Sequence, residues 1–85
     1  MTTEDIGYKR LKWRSRRGMK ELDILLMPFV EQVYRDLELA DQQAYEKLLD
    51  QDDPDLLDWF NHQSTPDDPD LTRMVQLILD RMQPS

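Results

Sequence analysis

The 85-residue chain has no cysteine and a single histidine, His62. The first absence excludes disulfides, thiolate nucleophiles and cysteine metal sites. The second leaves a zinc centre with carboxylates as its only other ligands, so His62 reads as a surface or packing residue. No stretch approaches the roughly 20 apolar residues that span a bilayer. The start, MTTEDIGYKR, has no signal-type apolar run and is acidic before it is basic. A soluble protein that stays where it is made, in a bacterial cytoplasm, is the expectation. Period-two alternation is also missing, and β-branched residues are few, which removes strands. With only two glycines, Gly7 and Gly18, no Gly-rich phosphate loop can form, so the chain is not expected to hold a nucleotide cofactor of its own.

What remains is one small all-α domain over residues 1–85, a bundle of about five short helices around one thin core. Residues 1–7 and 83–85 read as loose ends. A first helix lies between the two glycines, with Tyr8, Leu11 and Ser15 on one stripe, Trp13 and Arg17 on another, and Gly18 as its stop. Leu22, Leu25, Leu26, Phe29, Val30, Val33 and Leu37 recur at three and four, predicting an amphipathic helix of about five turns. Pro28 is expected to kink or break it. A third helix is expected from Leu39 to Asp50, with Ala44, Tyr45, Leu48 and Leu49 inward. The pentapeptide DDPDL occurs twice, at 52–56 and 67–71. It reads as a helix-start device: Asp53 and Asp68 cap, Pro54 and Pro69 take the first helical position, and Asp55 and Asp70 complement the dipole. Its spacing is not that of an EF-hand calcium loop. Helix four then carries Leu56, Leu57, Trp59 and Phe60, and helix five carries Leu71, Met74, Val75, Ile78 and Met82. Trp59, Phe60, Pro54 and Pro28 read as structural.

Charge is distributed unevenly. Seven of the eleven Lys and Arg fall in the first 20 residues against two of the eighteen acids, a local +5 that leaves −12 for the rest and −7 for the whole. A basic helix lying on an acidic body explains part of this. Exposed ion pairs contribute only about 0–1 kcal/mol each, a weak reason for so tight a cluster. Nucleic-acid binding through the basic helix, with Tyr8 and Trp13 to stack, is opposed by a pI near 4.5. A membrane-surface helix needs a larger apolar face than Ile6, Tyr8, Leu11 and Trp13 offer. A protein-docking patch fits the composition, since arginine and tryptophan dominate interface energetics. No nucleophile–base pair or metal constellation is legible, so catalysis by this chain is not expected.

The stretch WRSRRGMKELD contains Arg17-Gly18-x-x-Glu21. It resembles the RGxxE signature of the SdhE-type flavinylation (assembly) factors of succinate dehydrogenase. KWRSRRGMKELD resembles that family's N-terminal block, LMPF its second helix, and LLDQDDPDLLDWF its third-to-fourth helix junction. The resemblance runs from about Leu11 to Met82, and residues 38–47 are its least distinctive part. It implies a five-helix bundle that binds the flavoprotein subunit of succinate dehydrogenase, and often that of fumarate reductase. It also implies that the factor helps FAD become covalently attached to a histidine of that partner, acting as a chaperone that holds no FAD itself. Carried over, Arg17, Gly18 and Glu21 are the functional residues, with Trp13, Arg14, Arg16, Met19 and Asp23 flanking them. In that reading Gly18 keeps the loop low for a partner backbone. Arg17 and its neighbours meet partner carboxylates or flavin phosphates, and Glu21 accepts a hydrogen bond. For Glu21 a helix-start role, and for Trp13 core packing, are the structural alternatives. Some members are described as antitoxins, which makes an inhibitor of a small toxin the rival function, beside the nucleic-acid module. A monomer is expected rather than a dimer.

Overall fold

Leu22, Leu26, Phe29 and Val30 fall on one stripe of a helix spaced at three and four, and all four have no exposed surface. That helix, α2 (Lys20–Gln32), is the element around which the others pack in this computed structural model. The backbone is described from Thr3 to Met82 and side chains from Ile6. Before α2 lies α1 (Thr3–Ser15). After it come a single 3-10 turn (Tyr34–Asp36), then α3 (Leu39–Leu49), α4 (Asp53–Phe60) and α5 (Pro69–Met82). There is no strand among the described residues, and none of the helices is long and apolar enough to cross a membrane. The all-α bundle expected from the sequence is the fold observed.

Pro28 does not break α2. The proline removes a hydrogen bond to the Ile24 carbonyl, on the exposed side of the helix, at a cost of about 3 kcal/mol. The next two residues, Phe29 and Val30, are fully buried, each contributing about 1.5–3 kcal/mol. Their burial outweighs the lost bond and carries the helix past the proline. The helix is nonetheless shorter than its periodicity suggests, because the backbone tightens at Val33 into the 3-10 turn. Tyr8 donates from its hydroxyl to the Val30 carbonyl at 2.7 Å, satisfying an acceptor near that end.

The first helix is longer at its start and shorter at its end than the glycines suggest. It includes Gly7 and stops at Ser15, three residues before Gly18. Residues 1–2 and 83–85, parts of the segments expected to be loose, lie outside the described residues; from Thr3 onward the backbone is helical. Leu11 and Ser15 are its buried side chains. The Ser15 hydroxyl bonds the Leu11 carbonyl at 2.8 Å and the Tyr45 hydroxyl of α3 at 2.7 Å. Tyr45 stacks on Phe29 with ring centroids 5.3 Å apart, and Tyr34 lies 5.4 Å from Tyr45. Ala44, Tyr45, Leu48 and Leu49 face inward as expected.

The two DDPDL copies do different things. Asp68 acts as expected: its carboxylate accepts from the Asp70 backbone N–H at 2.9 Å, capping α5. It also meets Lys47 Nζ at 2.6 Å. The hydrogen bond from Lys47 and that from the Asp70 backbone hold the Asp68 carboxyl below its usual range, and Asp68 in turn raises the Lys47 ammonium. Asp53 does not cap. Asp52 takes the cap position, without a side-chain bond, and Asp53 enters α4 with its carboxylate turned to Arg17. On α5, Leu79 joins the core, which the sequence reading missed, while Met82 is only partly buried.

Candidate functional site

The chain from Arg16 to Met19 links α1 to α2 and turns at Gly18, whose φ is +78°. A Cβ at Gly18 would meet no atom within 4 Å. Glycine is therefore required there by backbone conformation, not by crowding inside the fold. Met19 follows in extended conformation at the N-cap position of α2; its carbonyl accepts from the Leu22 and Asp23 amides, and its side chain packs partly against the core. Asp23 reaches back across the turn, its carboxylate accepting from the Arg17 backbone N–H at 2.8 Å.

The side chains of the signature point in two directions. Arg17 turns inward. It donates from Nε to Asp53 Oδ1 at 2.6 Å and from Nη1 to the carbonyls of Leu49 at 2.9 Å and Arg14 at 3.3 Å. From Nη2 it donates to the Gln51 carbonyl at 2.8 Å. Its side chain is 16% exposed. Glu21, on the first turn of α2, is exposed and makes no hydrogen bond or ion pair with a described residue. It carries no cap either, since no side chain closes the start of α2. Acidic side chains in this turn suit the positive end of the helix dipole.

Around Gly18 the surface is basic and apolar together. Trp13 is 77% exposed, which removes the core-packing alternative for it. Ile24 is 61% exposed, and Met27 lies half-buried. Lys12, Trp13, Arg16 and Met27 line one small depression, and Arg16, Gly18, Lys20, Asp23, Ile24 and Met27 line the adjoining groove of about 570 Å³. Of the clustered cations, Lys12 pairs with Glu31 at 3.7 Å, and Arg14 pairs with Asp50. Arg10, Arg16 and Lys20 have no such bond to a described residue. The basic segment thus divides: part is neutralised by the acidic body, and part is presented outward beside Trp13.

Of the eight residues expected in the site, Trp13, Arg16 and Gly18 line these depressions, while Glu21 is exposed on the first turn of α2 and is not among the lining residues. Asp23 lines the groove while bracing the turn. Arg14, Arg17 and Met19 are engaged with the rest of the fold. Lys20, Ile24 and Met27 were missed. The signal for Ile24 was present: it falls off the buried stripe of α2, so an isoleucine there faces water. Among the described residues no group of acidic or histidine side chains could hold a metal ion.

The chain is similar to known proteins over nearly its whole length. The family model described as the flavinator of succinate dehydrogenase matches residues 9–82. A Pseudomonas aeruginosa protein named FAD assembly factor SdhE is 55% identical over 81 residues, covering 95% of this chain and 96% of the relative. Proteins of the same name from Colwellia psychrerythraea (49% over 77 residues, 91% of this chain and 85% of the relative) and Pectobacterium atrosepticum (47% over 72 residues, 85% and 82%) are also similar.

Proposed function

Because the chain belongs to the flavinator of succinate dehydrogenase family, we propose that it is an FAD assembly factor. In this reading it binds the flavoprotein subunit of succinate dehydrogenase and promotes covalent attachment of FAD to that subunit. The observation that carries the reading is the outward face at the α1–α2 turn. Arg16 and Lys20 are charged groups without a bond to a described residue, set beside a highly exposed tryptophan and isoleucine, and Glu21, exposed on the same first turn of α2 as Lys20, is likewise unbonded among the described residues. Exposed tryptophan and arginine side by side are the residues that most often anchor a protein interface, which supports the reading.

The mechanism is docking and alignment. Trp13, Ile24 and Met27 supply apolar area, Arg16 and Lys20 meet acidic groups of the partner, and Glu21 accepts from a partner donor. FAD is the partner's group: the flavin and the flavoprotein's own side chains supply the bond-forming chemistry. Holding the flavoprotein in one conformation, with its histidine against the flavin, lowers a barrier by several kcal/mol without any reacting group from this chain. The factor is in this sense a chaperone rather than an enzyme, working in the bacterial cytoplasm as a monomer and then released. The flavoprotein of fumarate reductase is a second candidate client.

The test is covalent flavin on the succinate dehydrogenase flavoprotein, read by in-gel fluorescence. Cells lacking this protein are complemented with wild type, Gly18→Arg or Glu21→Ala. Wild type is expected to restore the fluorescent band, and both variants to leave it weak while remaining folded. Equal bands in all strains, including the uncomplemented one, would remove the reading.

A further inference from the structure

We propose that Arg17, the first residue of the RGxxE signature, is a positioning residue rather than a partner contact, and that Asp53 is the group that holds it in place. The inference rests on the docking face just described and assigns a different task to each end of the signature.

The geometry leaves Arg17 little to offer a partner. Its four hydrogen bonds reach three separate places: Asp53 at the start of α4, Leu49 and Gln51 around the α3 C-terminus, and Arg14 in the last turn of α1. Leu49 ends α3, so its carbonyl has no acceptor role within that helix. A planar guanidinium can serve a carboxylate and divergent carbonyls at once, which a lysine ammonium on its flexible stem cannot do in the same arrangement. The backbone of Arg17 is meanwhile fixed from the other side by Asp23. One residue therefore ties the turn to α2 through its amide and to the α3–α4 junction through its side chain. Between those two anchors the backbone reaches Gly18, and just beyond it Glu21 is set outward.

The two DDPDL copies supply a comparison within one chain. Asp68, in the second copy, caps its own helix. Asp53, at the same place in the first, faces Arg17 across 36 positions of sequence instead. The junction segment thus has a task at the docking face although it lies outside the signature. Direct contact and positioning make opposite statements about Asp53. If Arg17 touched the flavoprotein, Asp53 would matter little to binding. If Arg17 positions the turn, loss of either residue misplaces the same loop.

The test has two arms on the full chain. Amide hydrogen exchange on the free protein reads the latch without any partner. Asp53→Ala is expected to speed exchange across residues 16–19 while α2 and α5 keep their protection; unchanged exchange in the turn would overturn the latch. If that variant does not fold, Asp53→Asn, which keeps shape and loses charge, is expected to show the same change more weakly. The second arm is binding to the purified flavoprotein with its flavinylation rate. Arg17→Lys and Asp53→Ala are each expected to weaken binding about tenfold or more, and the double variant no further than the worse single. The rate at saturating factor is expected to stay at the wild-type value. Loss of binding in Arg17→Lys but not in Asp53→Ala would return Arg17 to the partner interface, as would a fall in the saturating rate. Failure of the wild type to bind the flavoprotein would count against the assembly function instead, and the exchange arm would still decide the latch.

Discussion

The Ser15 hydroxyl lies 2.7 Å from the Tyr45 hydroxyl, inside the core, and this pair fastens the basic first helix to the third. Ser15 also donates to its own helix at the Leu11 carbonyl, whereas Tyr45 has only a long 3.5 Å alternative at Leu26. Burial pushes the Tyr45 hydroxyl above its usual ionisation range, the bond to Ser15 opposing that shift, so the group stays a neutral phenol whose hydrogen needs an acceptor. Ser15→Ala leaves a buried phenol poorly satisfied and is expected to cost about 1–3 kcal/mol. Tyr45→Phe leaves Ser15 bonded to Leu11 and is expected to cost about 1 kcal/mol. The double variant should fall short of the sum of the two. Urea unfolding of the four proteins measures this, and strict additivity would show that the two hydroxyls do not depend on each other.

That pair also marks where the sequence was legible and where it was not. The stripe of Tyr8, Leu11 and Ser15 was visible as a helical face, and the structure turns it inward. The serine's partner was not visible, because a hydrogen bond across 30 positions leaves no local pattern. The same divide runs through the signature. Gly18 was legible as a left-handed position. That Arg17 turns inward depends on Leu49, Gln51 and Asp53, which are distant in sequence. Pro28 shows the same divide: local propensity favours a kink or a break, and burial of Phe29 and Val30 carries α2 past it without a break.

Gly18 separates conformation from contact. Its φ of +78° disfavours any L side chain, yet the space beside it is open. Gly18→Ala is expected to lower stability by about 1–2 kcal/mol through backbone strain, and Gly18→Asn by less, since asparagine visits this region more readily. Gly18→Arg carries the same strain and adds a long side chain to the groove face. Thermal unfolding should therefore rank asparagine above alanine and leave alanine and arginine alike. Flavoprotein binding should be lost mainly in the arginine variant. An alanine variant that binds as poorly as arginine would place the whole effect in the backbone.

Asp68 gives a pH signature far from the docking face. Its folded carboxyl titrates below the usual 3.8, so the unfolded chain takes up this proton first as pH falls. The stabilisation is present above 3.8 and is lost as pH falls through the lower folded value. Asp68→Asn keeps the cap and removes the charge that meets Lys47. The wild type should be the more stable of the two at neutral pH, and the difference should vanish in acid. A difference that persists at pH values where the wild-type carboxyl is protonated would assign the effect to shape rather than charge.

Trp13 and Ile24 decide whether the outward face is an interface core or incidental exposure. Both are mostly solvent-exposed, so Trp13→Ala and Ile24→Ala should leave folding stability within about 0.5 kcal/mol. Beneath a partner the same truncations remove anchoring area, and each is expected to weaken flavoprotein binding by about 2 kcal/mol, near thirtyfold. Arg16 is an exposed charge beside them, and Arg16→Glu should instead slow association and flatten its dependence on salt. Surface-plasmon measurements of on- and off-rates at two ionic strengths separate these effects. The tryptophan and isoleucine variants should dissociate faster and the arginine variant associate more slowly. Wild-type rates in all three would move the docking surface away from the α1–α2 turn, and the groove beside α3 lined by Tyr8, Tyr34 and Arg35 would be the next face to vary.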